Sequence, residues 1–139
     1  MDKSMMTQAK SAPASSVVLV IDDDPAVRNS LKFALEVDGF SVQVYPTGNA
    51  LLDEDDMPKS GCLVVDYNLP GMNGLDLLER LRERDIKLPA ILITSHPSAA
   101  IRSRATSAGV HLIEKPLLND KLFQCIRSVL GEDSRINDG

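Results

Sequence analysis

The sequence predicts an α/β domain: one parallel sheet with helices on both faces. Three observations point there. Apolar runs of strand length alternate with segments of helical periodicity five times along the chain, the pattern of repeated strand–helix crossovers. The runs Val17-Val18-Leu19-Val20-Ile21 and Leu63-Val64-Val65 are apolar without interruption, as strands covered on both faces are. Gly39 and Gly109 close periodic segments, where a helix end favours a residue free to adopt a left-handed backbone. A length of 139 residues suits a single domain, and the chain shows no internal repeat.

Residues 1–16 are polar, with Pro13 and no periodicity, and are expected to form a disordered leader. The domain is expected to span 17–131. Its first strand, Val17–Ile21, runs into Asp22-Asp23-Asp24-Pro25. Asp24 is suited to N-cap a helix whose first position is Pro25, and Val27, Leu31, Ala34 and Leu35 keep helical spacing up to Gly39. From Phe40 to Tyr45, Phe40, Val42 and Val44 alternate with Ser41, Gln43 and Tyr45, a strand with a more exposed face. A short helix is expected over 47–56. It ends in Asp53-Glu54-Asp55-Asp56, charges that oppose the helix dipole and read as a solvated, frayed terminus. The third strand, Leu63 to Val65, ends at Asp66 and is followed at once by the turn formers Asn68, Pro70 and Gly71. Residues 73–84 place Leu75, Leu77, Leu78 and Leu81 opposite Glu79, Arg80, Arg82 and Glu83, an amphipathic helix. A fourth strand follows over 89–94, a helix over 97–108, a fifth strand over 110–113, and a last helix over 118–130 with Leu118, Leu122, Ile126, Val129 and Leu130 inward. Residues 132–139 are polar and expected to be a flexible tail, too short for a DNA-binding helix-turn-helix after Leu130.

Composition excludes several function classes. The net charge of −5 comes with no Lys/Arg block, which argues against direct nucleic-acid binding or an anionic membrane surface as partner. Trp is absent and aromatics are sparse, so a base-stacking platform is not expected. The two cysteines, Cys62 and Cys125, have neither metal-ligand nor disulfide-framework spacing and read as small core residues. No signal-peptide core or membrane-length run is present, and a cytoplasmic location is expected. His96 and His111 read as surface or loop residues.

The chemistry lies at the strand ends. The first, third, fourth and fifth strands end in Asp22-Asp23, Asp66, Thr94 and Lys115, and in a parallel sheet those ends share one edge. Taken singly, each residue has a local role: an Asp that begins a turn, a polar strand exit with an N-cap, a hydroxyl bonded to its own backbone, a solvated lysine before Pro116. Taken together they converge. Two or three carboxylates with a backbone carbonyl make an oxygen-only site for a hard divalent cation, most naturally Mg²⁺. A carboxylate beside such a cation can attack a phosphoryl group to give an aspartyl phosphate, with the cation, the Lys115 ammonium and the Thr94 hydroxyl neutralising the phosphoryl oxygens.

The ordered motifs Val-Ile-Asp22-Asp23-Asp24, Val-Val-Asp66-Tyr67-Asn68-Leu69-Pro70-Gly71-Met72-Asn73-Gly74, Ile-Leu-Ile-Thr94-Ser95 and Ile-Glu114-Lys115-Pro116 resemble the receiver domain of two-component response regulators (CheY-like), over about Val17 to Leu130. The resemblance implies a flavodoxin-like doubly wound five-stranded parallel sheet of strand order 2-1-3-4-5. It implies Asp66 as phosphoacceptor, with Asp23, Asp66 and the Asn68 carbonyl as Mg²⁺ ligands, Asp22 assisting through water, and Thr94 and Lys115 on the phosphoryl oxygens. A sensor histidine kinase or phosphotransfer protein would be the donor. A downstream protein or covalently linked output domain would be the target, and the face of the fourth helix, fifth strand and fifth helix a homodimer surface. Such a protein is a phosphorylation-switched signalling domain, with at most self-phosphorylation from small donors and autodephosphorylation. Leu112 stands where receivers often carry Tyr or Phe, and the segment from Gly109 to Lys115 is one residue shorter than usual. Two other readings differ in the modified residue: a haloacid-dehalogenase-type phosphohydrolase would use Asp22, and an interaction module of receiver shape would carry no phosphoryl group.

Overall fold

Successive strand residues point to opposite faces of a sheet, and here both faces are apolar, so the core forms two layers. The computed structural model describes residues 16–117 and 120–131. Five strands, β1 (Ser16–Ile21), β2 (Ser41–Tyr45), β3 (Ser60–Asp66), β4 (Ala90–Thr94) and β5 (His111–Glu114), form one sheet of order β2-β1-β3-β4-β5, with every pairing parallel. The helices are α1 (Pro25–Val37), α2 (Gly48–Leu52), α3 (Gly74–Glu83), α4 (Ala99–Ser107) and α5 (Lys121–Val129).

One layer sets Val17, Leu19 and Ile21 of β1, Leu63 and Val65 of β3, and Leu92 of β4 against Leu51, Leu75, Leu78, Leu81 and Ala105 from α2, α3 and α4. The other sets Val18, Val20, Cys62, Val64, Ile91 and Ile93 against Leu31 and Leu35 of α1 and Leu122 and Ile126 of α5. Each fully buried Leu or Ile contributes roughly 1.5–3 kcal/mol by leaving water. The parallel sheet with helices on both faces expected from the alternation is therefore observed, and its doubly wound strand order is the one the receiver resemblance implies. Gly61 is obligatory where β3 meets β1: at φ +150°, any Cβ would lie 2.2 Å from the Val17 carbonyl oxygen.

Several boundaries differ from expectation, each for a local reason. The second helix stops at Leu52, well short of residue 56, because Asp53 takes the C-cap and the following carboxylates are unfavourable at the negative end of the dipole. Glu54 is not simply solvated: it accepts a hydrogen bond from the Tyr45 hydroxyl at 2.9 Å. Tyr45, grouped by alternation with exposed Ser41 and Gln43, is buried and joins the α2–α4 layer. Burial and the neighbouring Glu54 raise its phenol to a pKa of about 12. The first, third and fourth helices start on the side-chain caps Asp24, Asn73 and Ser98. In α5, Leu122 and Ile126 are buried while Val129 and Leu130 are half-buried. Leu118, residues 1–15 of the expected leader 1–16 and the tail 132–139 lie outside the described residues, while Ser16, expected in the leader, opens β1 by pairing with Ser60 of β3. Both cysteines are free thiols, Cys62 buried and Cys125 half-buried, and burial pushes the Cys62 thiol up to about 12. His96 and His111 are exposed.

Candidate functional site

The sheet register brings the expected residues to one edge. Ile21 pairs with Val65, Asp66 with Ile93, and Thr94 with Glu114, so the residues that follow β1, end β3, end β4 and follow β5 leave the sheet side by side. At that edge carboxylate oxygens of Asp22, Asp23 and Asp66 lie within 4.8 Å of one another, and among the described residues this is the one group with metal-holding geometry. Asp22 and Asp66 are 2 % and 5 % exposed, whereas Asp23 faces solvent. The Lys115 ammonium stands 3.4 Å from Asp66 Oδ1. The Lys115 backbone is tied to β4, its N–H donating to the Thr94 carbonyl at 2.8 Å, and its bond to Pro116 is cis. The Gly109–Lys115 segment brings the lysine to Asp66.

Burial works against both buried carboxylates and raises each pKa above the ordinary carboxylate range. For Asp66 the chief counterweight is Lys115. For Asp22 it is the Asp24 backbone N–H, which donates to Asp22 Oδ1 at 2.9 Å. Like-charge crowding adds to both shifts. Three crowded carboxylates served by one lysine favour the arrival of a compact cation.

Two expected residues stand less directly in the cluster. Thr94 is buried at the end of β4, but its hydroxyl donates to the Ser95 carbonyl at 3.2 Å. Asn68 reaches the site through its N–H, which donates to Asp66 Oδ1 at 3.3 Å; its carbonyl accepts no hydrogen bond among the described residues. Leu112, on β5, is half-buried and packs into the α2–α4 layer.

Sequence reasoning gave no individual role to two residues that shape the site, Gly74 and Arg28. Gly74 opens α3 directly behind Asp66: a Cβ there would lie 2.7 Å from the Asp66 carbonyl oxygen and 2.8 Å from Leu92. Its N–H donates to Tyr67 O at 2.8 Å, which folds the β3–α3 turn back under β3. Arg28, on α1, donates from Nη1 to the Asp22 carbonyl at 2.9 Å. The readable signal for it was a lone basic residue one turn after an acidic triplet.

These features define a doubly wound α/β domain with an acidic, lysine-bearing site at the carboxyl edge of its sheet. The chain belongs to the response regulator receiver domain family, whose family model matches residues 18–127. It is 35 % identical over 114 residues to the transcriptional regulatory protein FixJ of Bradyrhizobium diazoefficiens, covering 81 % of this chain and 56 % of that protein. It is likewise 35 % identical over 118 residues to the C4-dicarboxylate transport transcriptional regulatory protein DctD of Pseudomonas aeruginosa, covering 84 % of this chain and 26 % of that one. Among solved structures, a CheY-like receiver from Methanospirillum hungatei superposes with a TM-score of 0.76 at 28 % identity, covering 86 % of this chain and 97 % of that chain. The chain thus spans about half the length of its FixJ relative and about a quarter of DctD. It is a signalling domain of the two-component type, and nothing in these likenesses favours a phosphohydrolase. No helix among the described residues is long and apolar enough to cross a membrane.

Proposed function

We propose that Asp66 is the phosphoacceptor of this receiver, and that Asp22, Asp23, Asp66 and the Asn68 carbonyl hold the Mg²⁺ the reaction uses. The convergence of three carboxylates within 4.8 Å, with Lys115 at 3.4 Å from Asp66, supports this reading most strongly. The donor set is all oxygen, which fits a hard divalent cation. Bound there, Mg²⁺ would neutralise carboxylate charge and the oxygens of the incoming phosphoryl group.

The chain's own groups do the rest. Asp66, held at the end of a buried strand, presents a carboxylate oxygen that forms a bond to phosphorus as the bond from phosphorus to the donor breaks. Lys115 leaves its pairing with Asp66 for the transferred group, whose oxygens carry the charge it had faced. The Thr94 hydroxyl turns from the Ser95 carbonyl toward the same oxygens, coupling the β4–α4 loop to the modification. The 17–131 unit acts as the switched domain. Its donor is a sensor histidine kinase or phosphotransfer protein, and its target is a downstream protein or a linked output domain. The face formed by α4, β5 and α5 is the surface for pairing with a second copy. The setting is the cytoplasm, and turnover is limited to self-phosphorylation and autodephosphorylation.

The test is chemical. Incubation with a small-molecule phosphodonor and Mg²⁺, followed by borohydride trapping and mapping, is expected to mark Asp66. The mark should be lost without Mg²⁺, and the rate should fall by about 10³-fold or more in Asp66→Asn. Labelling at Asp22 would move the protein to hydrolase chemistry. A folded, Mg²⁺-binding protein that takes no label would be an interaction module.

A further inference from the structure

Among the groups around the acidic edge, Asp23 is the least supported. Its carboxylate is exposed and accepts no hydrogen bond among the described residues, whereas Asp22 is buried and receives the Asp24 N–H. The Asp23 side chain is therefore aimed only by the backbone that carries it. That backbone is tied at the residue before it. The Asp22 N–H donates to the Tyr45 carbonyl at 3.1 Å, joining the turn to β2. The Asp22 carbonyl accepts from Arg28 Nη1 at 2.9 Å, joining the same turn to α1. The Asp22 carbonyl and the Asp23 N–H belong to one planar peptide unit. Holding the carbonyl thus sets the rotation of that plane, and with it the place of the Asp23 Cα and the N–Cα axis about which its side chain can still turn.

We propose that Arg28 is a positioning residue for the cation site: it clamps the Asp22–Asp23 peptide so that the exposed Asp23 carboxylate joins Asp22 and Asp66. The proposal rests on the reading that this triad binds Mg²⁺. Arg28 acts here through geometry. It is half-buried and forms no ion pair among the described residues. Burial raises the Asp22 and Asp66 carboxyls, and Lys115, not Arg28, is the cation that partly offsets it. A planar guanidinium suits the task because it holds a carbonyl in a defined direction while sharing one α1 turn with the Asp24 cap.

The two ways Arg28 can influence the site have opposite signs. If it acted only as a nearby positive charge, removing it would tighten Mg²⁺ binding. If it positions the turn, removing it weakens binding, as loss of groups that orient metal ligands does, by about tenfold. Calorimetric titration of the unphosphorylated protein with MgCl₂ is therefore decisive for Arg28→Met and Arg28→Lys beside the wild type. The proposal expects about tenfold weaker Mg²⁺ affinity in Arg28→Met, a smaller loss in Arg28→Lys, which keeps a donor of shorter reach, and a melting temperature in EDTA within a few degrees of wild type for both. Unchanged or tighter affinity in Arg28→Met overturns it, as does equal loss in both variants together with a collapsed melting temperature, which would make Arg28 a folding element. Absence of Mg²⁺ binding by the wild type would overturn the cation site itself, an outcome distinct from the others because it appears before any substitution.

Discussion

Two acidic clusters occur in this chain, and they behave differently. Asp22, Asp23 and Asp66 come from two segments separated in sequence and meet at the ends of adjacent buried strands. Asp53, Glu54, Asp55 and Asp56 are contiguous, yet they follow a five-residue helix at the surface, and only Glu54 is partly buried, through its bond to Tyr45. The contiguous run has the higher local density of carboxylates and the weaker claim to chemistry, because water screens each of them. The dispersed set is the one in which burial raises the pKa of two carboxyls, Asp22 and Asp66, and a lysine is aimed at one member. A site of this kind is made by desolvation and direction, and the number of charges in a window says little about either.

The sharpest way to separate the clusters is to remove the lysine that, among the described residues, pairs with only one of them. Lys115→Met is expected to lower the rate of phosphorylation by small donors by about 10²–10³-fold at saturating Mg²⁺, the usual cost of one preorganised charge that faces the reacting oxygens. Mg²⁺ affinity should hold or improve, since a competing cation has gone. A rate within a factor of three of wild type would mean that Lys115 serves only to offset Asp66 at rest.

The dispersed cluster is legible in the amino-acid sequence even though its members lie far apart along it. Alternating strands and helices define the class of fold, and the residues at four strand ends name the site, because strand direction alone carries them to a common edge. What stays hidden depends on contacts between elements. The burial of Tyr45 is not readable because alternation assigns a face to a side chain but says nothing of a neighbour such as Glu54 that turns it inward. The early stop of α2 at Leu52 is not readable because a weak helix former and a capping residue look alike where acids are dense. Gly74 and Arg28 act on backbone atoms of Asp66 and Asp22, and a hydrogen bond to a carbonyl leaves no residue-type signature at its acceptor. Thr94 stands at the edge as its strand predicts, while its hydroxyl keeps the local bond that a strand-end threonine has by default.

Removing one buried carboxylate should stabilise the metal-free protein. The fold raises the Asp22 carboxyl pKa, chiefly by burial, with Asp66 and Asp23 adding to the shift. A raised acid holds its proton more firmly folded than unfolded, so the stability of the metal-free protein falls as pH climbs through the window just above the ordinary carboxylate range. Asp22→Asn removes that charge while its amide oxygen can still accept the Asp24 N–H. In EDTA at neutral pH it is expected to gain on the order of 1 kcal/mol, a melting temperature higher by roughly 4 °C. With saturating Mg²⁺ the order reverses, because the wild type gains more from the cation. A variant less stable than wild type in EDTA would show that Asp22 contributes more as a hydrogen-bond acceptor than it costs as a charge.

The smallest effect is expected at the other cluster, and it is the control that gives the comparison its meaning. Asp53→Asn, Asp55→Asn and Asp56→Asn together remove as many carboxylates as the triad Asp22, Asp23 and Asp66 contains, but from side chains exposed to water. Lessened repulsion with the C-terminal end of α2 should stabilise the protein by less than about 0.5 kcal/mol, and both Mg²⁺ affinity and the phosphorylation rate should match wild type. Glu54 is left in place because its bond to the Tyr45 hydroxyl belongs to the packing of β2. Were the triple variant to lose Mg²⁺ affinity several-fold, the long-range field of the surface would be supplying what is here assigned to three converging carboxylates. Salt would then discriminate: a field effect from exposed charges fades as ionic strength rises toward 1 M, where the screening length falls to about 3 Å, whereas direct coordination at the sheet edge persists.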